Sequence, residues 1–330
     1  MARNFQLAAC LAAFFSIYPS AAGFQSSSSD VRVSITPRSR PQVFADPIPQ
    51  THLRIDSSLV LIPVHVTTSA GASVTSLGQQ NFQLFEEGVE QKITHFSQED
   101  GPISIGLLFD SSGSMNNKVR QSSEAAAAFF KTANSEDEFF LVEFGERPKL
   151  AVPFTADSDA IFRRILHSKP FGRTSLLDAV HMAMMEMKHA RNLRKAIVIL
   201  SDGGDNRSRH TSGEIRNAML ETDLQLYAMG IFDRDPLHKH SPEEQNGPRL
   251  LDDLAEQTGG RLYSVDNLDD LASISARISR ELRNQYVLGY SPATDSRDAK
   301  YRRVKVSVIA PEGTPSLRTN YRRGYYAPSE

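Results

Sequence analysis

The segment ISIGLLFDSSGS, residues 103–114, decides the fold class of this chain. Its first seven residues are almost wholly apolar, which is typical of a strand buried on both faces of a parallel sheet. The strand then ends in Asp110, which Ser112 and Ser114 follow at two-residue intervals. Small divalent cations prefer oxygen ligands, and open α/β sheets bind their ligands beyond the carboxyl ends of the strands. The segment therefore predicts an α/β sheet with a candidate cation site at the end of this strand.

Two later segments carry further oxygen donors. The turn GRTS, residues 172–175, contains Thr174, and the apolar strand AIVILS, residues 196–201, runs directly into Asp202. A single Asp-x-Ser-x-Ser pattern is weak, because short polar motifs also occur by chance. The three segments in this order, each at the end of a strand or in a loop, predict one shared site.

From residue 103 to about residue 284, apolar strands alternate with helical patterns. Such alternation predicts a doubly wound, mostly parallel sheet with helices on both faces, which is an α/β fold. The predicted strands are 103–109, 139–144, 149–153, 195–201, 224–231 and 261–264. The predicted helices are 117–132, 158–167, 175–190, 213–221, 248–257 and 268–284.

The two flanks of this region have β patterns instead. Apolar or alternating runs occupy 59–66, 82–85, 91–96, 286–290, 303–309 and 317–325. Each flank holds about 40 residues, which is too few to bury a core without cross-links or a metal. We therefore expect one small β-sandwich built from both flanks, with the α/β domain inserted between them.

The N-terminus has the pattern of a secretory signal. Arg3 precedes a nearly apolar run from Leu7 to Ile17, and small residues follow. This pattern predicts cleavage near Ala22 or Gly23 and a secreted or periplasmic location, and a retained membrane anchor is the alternative. Because the run is short for a membrane span of ~20 residues, we expect no span after cleavage.

These observations predict a division of the chain into five parts. They are a signal peptide at 1–23, a disordered linker at 24–55, the N-terminal half of the sandwich at 56–98, the α/β domain at 100–285 and the C-terminal half of the sandwich at 286–327. Cys10 is the only cysteine, so the mature chain depends on its core rather than on disulfides. The formal net charge of −2 gives no reason to expect a nucleic acid partner.

The chain resembles the von Willebrand factor type A domain, and in particular a bacterial secreted branch of related proteins. The resemblance rests on the three oxygen-bearing segments and on residues 81–88, 259–261 and 282–290. It implies a metal-ion-dependent adhesion site that binds Mg²⁺ or Mn²⁺. The implied site residues are Asp110, Ser112, Ser114, Thr174 and Asp202. It also implies a protein partner that presents an Asp or Glu to the cation.

Several site residues have structural alternatives. Asp110 could cap the helix that follows it, and Thr174 could cap the helix at 175–190. Asp205 could ligate the cation or support Asp202 from outside the ligand shell, but a loop carboxylate that caps the next turn explains it at least as well. The long loop at 233–249 either surrounds the metal face or is a surface insertion.

Three classes of function remain open. The leading hypothesis is a binding module rather than an enzyme. A metal-assisted hydrolase is disfavoured, because the chain contains no Gly-x-Ser-x-Gly elbow and no His-Glu-x-x-His motif. The third is a structural envelope protein with a vestigial site. The sequence leaves the partner, the metal and the oligomeric state undetermined.

Overall fold

The computed structural model describes residues 59–98, 101–131, 133–232, 241–292, 298–313 and 316–327. The predicted signal peptide, the predicted linker and residues 233–240 of the loop 233–249 lie outside these ranges. Within them, no helix is both long enough and apolar enough to cross a bilayer.

The order of elements along the chain matches the predicted alternation. The strands are β1 (Val60–Thr68), β2 (Phe82–Glu86), β3 (Val89–Gln91), β4 (His95–Ser97), β5 (Ile103–Asp110), β6 (Glu138–Phe144), β7 (Lys149–Thr155), β8 (Arg194–Ser201), β9 (Leu224–Gly230), β10 (Leu262–Ser264), β11 (Tyr286–Tyr290), β12 (Tyr301–Val308), β13 (Leu317–Tyr321) and β14 (Gly324–Tyr326). The helices are α1 (Val119–Phe130), α2 (Ser158–Leu166), α3 (Leu176–Glu186), α4 (Ser212–Leu220), α5 (Pro242–Gln257) and α6 (Leu271–Arg283).

The central sheet has six strands in the order β10-β9-β8-β5-β6-β7. All neighbours are parallel except β6 and β7, which pair antiparallel at one edge. After β5 the chain moves to one side of the sheet, and it returns with β8 on the other side. The strand order therefore reverses between β5 and β8, and this is where open α/β sheets bind ligands.

Two apolar cores cover the faces of this sheet. Helices α1, α2 and α6 pack on one face, with side chains such as Phe129 and Ile278 in the core. Helices α3, α4 and α5 pack on the other face, with side chains such as Val180 and Leu254 in the core. Every residue of β5 is buried, as expected for a central strand covered on both sides.

The flanks form two four-stranded sheets, with orders β13-β1-β11-β4 and β14-β12-β2-β3. Each sheet contains strands from both ends of the chain, and a third apolar core includes residues of both sheets, among them Ile62, Leu84 and Tyr286. The predicted fold class is confirmed: a mostly parallel α/β sheet accompanies a sandwich made by the flanks. The boundaries that we assigned to the five parts stay a prediction.

Helix α5 begins at Pro242, earlier than the predicted start at residue 248. The N–H of Glu244 donates to the Ser241 hydroxyl over 3.2 Å, and the N–H of Ser241 donates to the Glu244 carboxylate over 2.8 Å. This capping box, with Pro242 in the first turn, starts the helix about a turn and a half upstream. This earlier start places Gly247 inside a helix, against the loop that follows β8.

Candidate metal centre

The loop after β5 brings two serine hydroxyls together. Asp110 is fully buried, and its Oδ1 accepts the backbone N–H of Ser112 over 2.8 Å. This bond turns the chain, so that the Oγ atoms of Ser112 and Ser114 lie 3.0 Å apart. Ser112 is buried and Ser114 is exposed, so the pair reaches from the end of the sheet to the surface. Asp110 does not cap α1, which begins only at Val119.

Thr174 lies in the turn before α3 and is buried. Its N–H donates to Asn206 Oδ1 over 3.1 Å, and its carbonyl accepts the N–H of Asn206 over 3.1 Å. The N-cap residue of α3 is Ser175, and the Ser175 hydroxyl donates instead to the carbonyl of Gly145. Thr174 therefore does not occupy the capping position that the sequence left open.

Backbone hydrogen bonds join the Thr174 turn to the loop after β5 that carries Ser112 and Ser114, which we call the serine loop. The N–H of Gly113 donates to the carbonyl of Gly172 over 3.1 Å, and the N–H of Phe171 donates to the carbonyl of Ser111 over 2.8 Å. The N–H of Ser111 donates in turn to the carbonyl of Phe144, at the end of β6. Since these bonds use backbone atoms, they fix the loops without consuming the side-chain oxygens of the candidate site.

Asp202 follows β8 and is also buried, and its Oδ1 accepts the N–H of Gly204 over 3.2 Å. The loop continues through Gly203, whose φ of +79° favours glycine. A Cβ added to Gly203 would lie 2.7 Å from the carbonyl carbon of Gly247 in α5. Helix α5 therefore supports the Asp202 loop through a close contact between two glycines.

Asp205 makes the contacts of a capping residue. Its Oδ1 accepts the N–H groups of Arg207 and Ser208, and its Oδ2 accepts the N–H of Leu177 over 3.4 Å at the start of α3. Burial raises the pKa of Asp205 above its usual range. These contacts correspond to the capping alternative, and they tie the Asp202 loop to α3.

The electrostatics of the site favour a cation. Burial, and then the negative charge of Asp202, raises the pKa of Asp110 to about 7. Two carboxylates buried near each other are costly to ionise together unless a positive charge neutralises them. Asp110, Ser112, Ser114, Thr174 and Asp202 offer only oxygen atoms, the donor type that Mg²⁺ and Mn²⁺ prefer. The donor set therefore fits such an ion.

The described residues contain no group of three or more His, Cys, Asp or Glu side chains that could hold a metal. A cation here would therefore depend on hydroxyl ligands. Asp110, Ser112 and Ser114 are joined by direct hydrogen bonds. The charge of Asp202 acts on Asp110, and backbone hydrogen bonds of the Thr174 turn join Thr174 to the same loop.

The sequence alone does not single out three residues that support the candidate site. Ser201 donates its hydroxyl to Asp110 Oδ2 over 2.6 Å, Asn206 holds the Thr174 turn, and Gly247 contacts the Asp202 loop. Ser201 precedes Asp202 directly, so its position at a strand end was a usable signal. The other two act across more than thirty residues of chain, where no local pattern points to them.

Comparison with known proteins agrees with this fold. Residues 105–204 match the family model of the von Willebrand factor type A domain. An uncharacterised protein of Borreliella burgdorferi is 24% identical over 199 residues, which cover 54% of this chain and 57% of that protein. This chain thus spans somewhat more than half the length of that relative.

Three solved structures are among those that match part of this chain. An aerotolerance-related membrane protein from Bacteroides fragilis is 15% identical, with coverage of 55% of this chain and 98% of that chain and a TM-score of 0.45. A von Willebrand factor type A protein from Catenulispora acidiphila is 13% identical, with coverage of 73% and 75% and a TM-score of 0.46. Proximal thread matrix protein 1 from the mussel byssus, with zinc in its MIDAS motif, is 16% identical, with coverage of 60% and 49% and a TM-score of 0.46.

The fold is that of a doubly wound α/β domain whose oxygen-rich loops lie at the point where the strand order reverses. The residues that match the von Willebrand factor type A model include most of β5, the Thr174 turn and the start of the loop after β8.

Proposed function

We propose that this chain is a secreted, metal-dependent protein-binding module of the adhesion type. The observation that carries the proposal is the set of backbone hydrogen bonds that join the serine loop to the Thr174 turn, and that turn to Asn206. These bonds gather hydroxyls and carboxylates from three separate segments at the point where the strand order reverses. The family match, which covers all three segments, supports the same conclusion.

Each site residue has a proposed role that follows from its burial and contacts. Ser112, Ser114 and Thr174 hold Mg²⁺ or Mn²⁺ through their hydroxyls. The carboxylates of Asp110 and Asp202 each accept a backbone N–H group, so they orient the hydroxyls and balance the charge. When bound, the cation supplies an open coordination position for an Asp or Glu side chain of the partner.

The surface around the serine loop suits a protein partner. Phe171 precedes the Thr174 turn, and the residue is 78% exposed although its backbone N–H donates to the carbonyl of Ser111. Exposed aromatic rings on a rigid backbone are common anchors in protein interfaces, because burying them costs little conformational entropy. We propose that Phe171 contacts an apolar residue next to the acidic group of the partner.

We further propose that the site is not catalytic. Within the described residues, the hydroxyls of Ser112 and Ser114 hydrogen-bond to each other, and neither contacts a histidine. The imidazole of His210 pairs with Asp178 Oδ1 over 2.7 Å instead. A serine nucleophile needs a general base within hydrogen-bonding reach, and these contacts do not supply one. The alternative is a structural protein with a vestigial site. The following test distinguishes it from a metal-dependent binding module.

The test is capture of random peptides by the immobilised full-length chain in Mg²⁺ and in EDTA. We expect Mg²⁺ to enrich peptides that contain Asp or Glu, and we expect EDTA and the Ser112→Ala variant to abolish the enrichment. A Ser273→Ala variant is the matched control, because Ser273 hydrogen-bonds only locally, to the carbonyl of Asp270 at the start of α6. Peptide capture that is equal with Mg²⁺ and EDTA would contradict the proposal.

A further inference from the structure

A second polar cleft lies away from the metal centre, where the sandwich meets the α/β domain. Its volume is about 600 Å³, within the range of small-molecule sites. Arg261, before β10, and Arg277, on α6, line it from the α/β side. Arg318 and Asn320 on β13, and the turn at 67–71, line it from the sandwich side. Three arginines from three separate segments therefore face one opening.

The positive charge of these arginines is only partly neutralised. The Nε of Arg277 donates to Glu281 Oε1 over 3.3 Å, and the NH1 of Arg261 lies 3.7 Å from the same oxygen. Glu281 is buried beneath them and also accepts the hydroxyl of Tyr263. Arg318 is exposed and forms no ion pair with any described residue. The carboxylate of Glu281 thus pairs with Arg261 and Arg277 but not with Arg318, and among the described residues no acidic side chain lines the cleft.

Two contacts hold the guanidinium groups of Arg261 and Arg277 in place. The NH2 of Arg261 donates to Asn320 Oδ1 over 2.6 Å, and the NH2 of Arg277 donates to the carbonyl of Gly71 over 3.4 Å. A Cβ added to Gly71 would lie 2.5 Å from that same nitrogen of Arg277. A glycine at this position therefore leaves space for the guanidinium group of Arg277. Pre-organised arginines lose less entropy when they bind a ligand than arginines in free solution would.

We propose that this cleft binds a small polar anion through its phosphate or carboxylate groups. Guanidinium groups match the geometry of both groups and form charge-assisted, often bidentate, hydrogen bonds with them. The hydroxyls of Thr67, Thr68 and Thr319 add neutral donors along the same walls. The cleft is larger than a single phosphate ion requires, so the ligand carries a polar body besides its anionic group.

The site is distinct from the metal centre in position and in chemistry. The metal centre lies beyond the carboxyl ends of β5 and β8 and uses hydroxyls and carboxylates. The cleft uses arginines and is shared between α6 and β13, so its ligand would join the two parts of the fold. Anion binding does not require a metal, and the two proposals can fail independently.

The test is titration calorimetry of the full-length chain with inorganic phosphate and, separately, with citrate, in EDTA at constant low ionic strength. We expect saturable binding of at least one probe, with a Kd below about 1 mM. Binding of phosphate alone would identify a phosphate ligand, and binding of citrate alone would identify a carboxylate ligand. We expect Arg318→Gln to weaken the binding at least tenfold while the chain stays folded, because Arg318 is exposed and forms no ion pair that the fold needs.

Arg303→Gln on β12 is the matched control. It removes the same charge from an exposed side chain that pairs with Glu87 outside the cleft, and it should bind as the wild type does. Asp110→Asn should also bind the anion normally, even if its metal site is lost. The absence of saturable binding for both probes, or equal binding by Arg318→Gln and the wild type, would overturn the proposal.

Discussion

Ser201 Oγ donates a 2.6 Å hydrogen bond to Oδ2 of Asp110, across the boundary between β8 and β5. The Oγ atom of Ser201 also accepts the N–H of Gly203 over 3.0 Å. Ser201 thus connects the carboxylate at the end of one central strand to the loop that follows the other. Both oxygens of Asp110 are therefore satisfied, which fixes the side chain that begins the serine loop.

The first prediction concerns this bond. Ser201→Ala should lower the affinity for Mg²⁺ by about tenfold or more, since residues that orient metal-site groups typically contribute this much. It should also lower the free energy of unfolding by about 1–3 kcal/mol, because one buried oxygen of Asp110 loses its donor. Calorimetry and urea unfolding measure the two effects. Ser275→Ala is the control: Ser275 is equally buried, but its hydroxyl contacts only the Met229 sulfur, at 3.5 Å.

The second prediction concerns Gly247. Replacing glycine by alanine inside a helix usually stabilises a protein by up to about 1 kcal/mol. Here a Cβ would lie 2.6 Å from the carbonyl oxygen of Asp202, so Gly247→Ala should destabilise the chain and displace the Asp202 loop. Thermal unfolding with and without Mg²⁺ should show a lower Tm and a smaller shift with the ion.

Gly213→Ala is the control for this prediction, since a Cβ at Gly213 in α4 would lie 4.0 Å from its nearest neighbour atom, the Thr211 hydroxyl. We expect it to be neutral or stabilising. A stabilising effect of Gly247→Ala equal to that of Gly213→Ala would show that α5 does not support the loop.

The third prediction concerns pH and the sandwich. His65 is fully buried, with Nε2 3.0 Å from the Ser73 hydroxyl and Nδ1 3.6 Å from Glu281 Oε2. The pKa of His65 is lowered from 6.5 to about 4, chiefly by burial; the charge of Glu281 opposes this shift, and the charges of Arg261 and Arg277 add to it. The unfolded chain therefore takes up a proton at this residue between pH 6.5 and 4, and the folded chain does not.

The contribution of His65 to stability is thus complete above pH 6.5 and is lost as the pH falls toward 4. The loss amounts to about 3 kcal/mol by proton linkage. Urea unfolding at pH 7 and pH 4.5 should show a smaller acid loss in His65→Gln than in the wild type. The control is His95→Gln, because His95 is exposed. An identical pH dependence in His65→Gln and the wild type would contradict this account.

The sequence predicts the sheet and the ligand segments well because both depend on local pattern. The apolar run of β5 and the oxygens of Asp110, Ser112 and Ser114 lie within twelve consecutive residues, 103–114. Their chemistry can be read without knowledge of the partner strands. The flanking sandwich was also predictable, since neither flank is long enough to bury a core alone.

The parts that the sequence misses depend on contacts between distant segments. The predicted start of α5 at residue 248 is too late, because the capping box between Ser241 and Glu244 begins the helix at Pro242. The role of Gly247 itself appears only when α5 packs against Gly203. The arginine cleft is similar, since Arg261, Arg277 and Arg318 come together only when the sandwich folds against α6.

The central claim is that Asp110 organises a divalent cation site. The measurement that tests it most directly is calorimetric titration of the full-length chain with Mg²⁺ and with Mn²⁺, in parallel with Asp110→Asn and Asp159→Ala. Asp159 is exposed on α2, so Asp159→Ala is the control for the loss of a carboxylate outside the candidate site. We predict saturable binding of at least one of the two ions to the wild type and to Asp159→Ala, and loss of binding in Asp110→Asn. No binding to the wild type, or unchanged affinity in Asp110→Asn, would contradict the account.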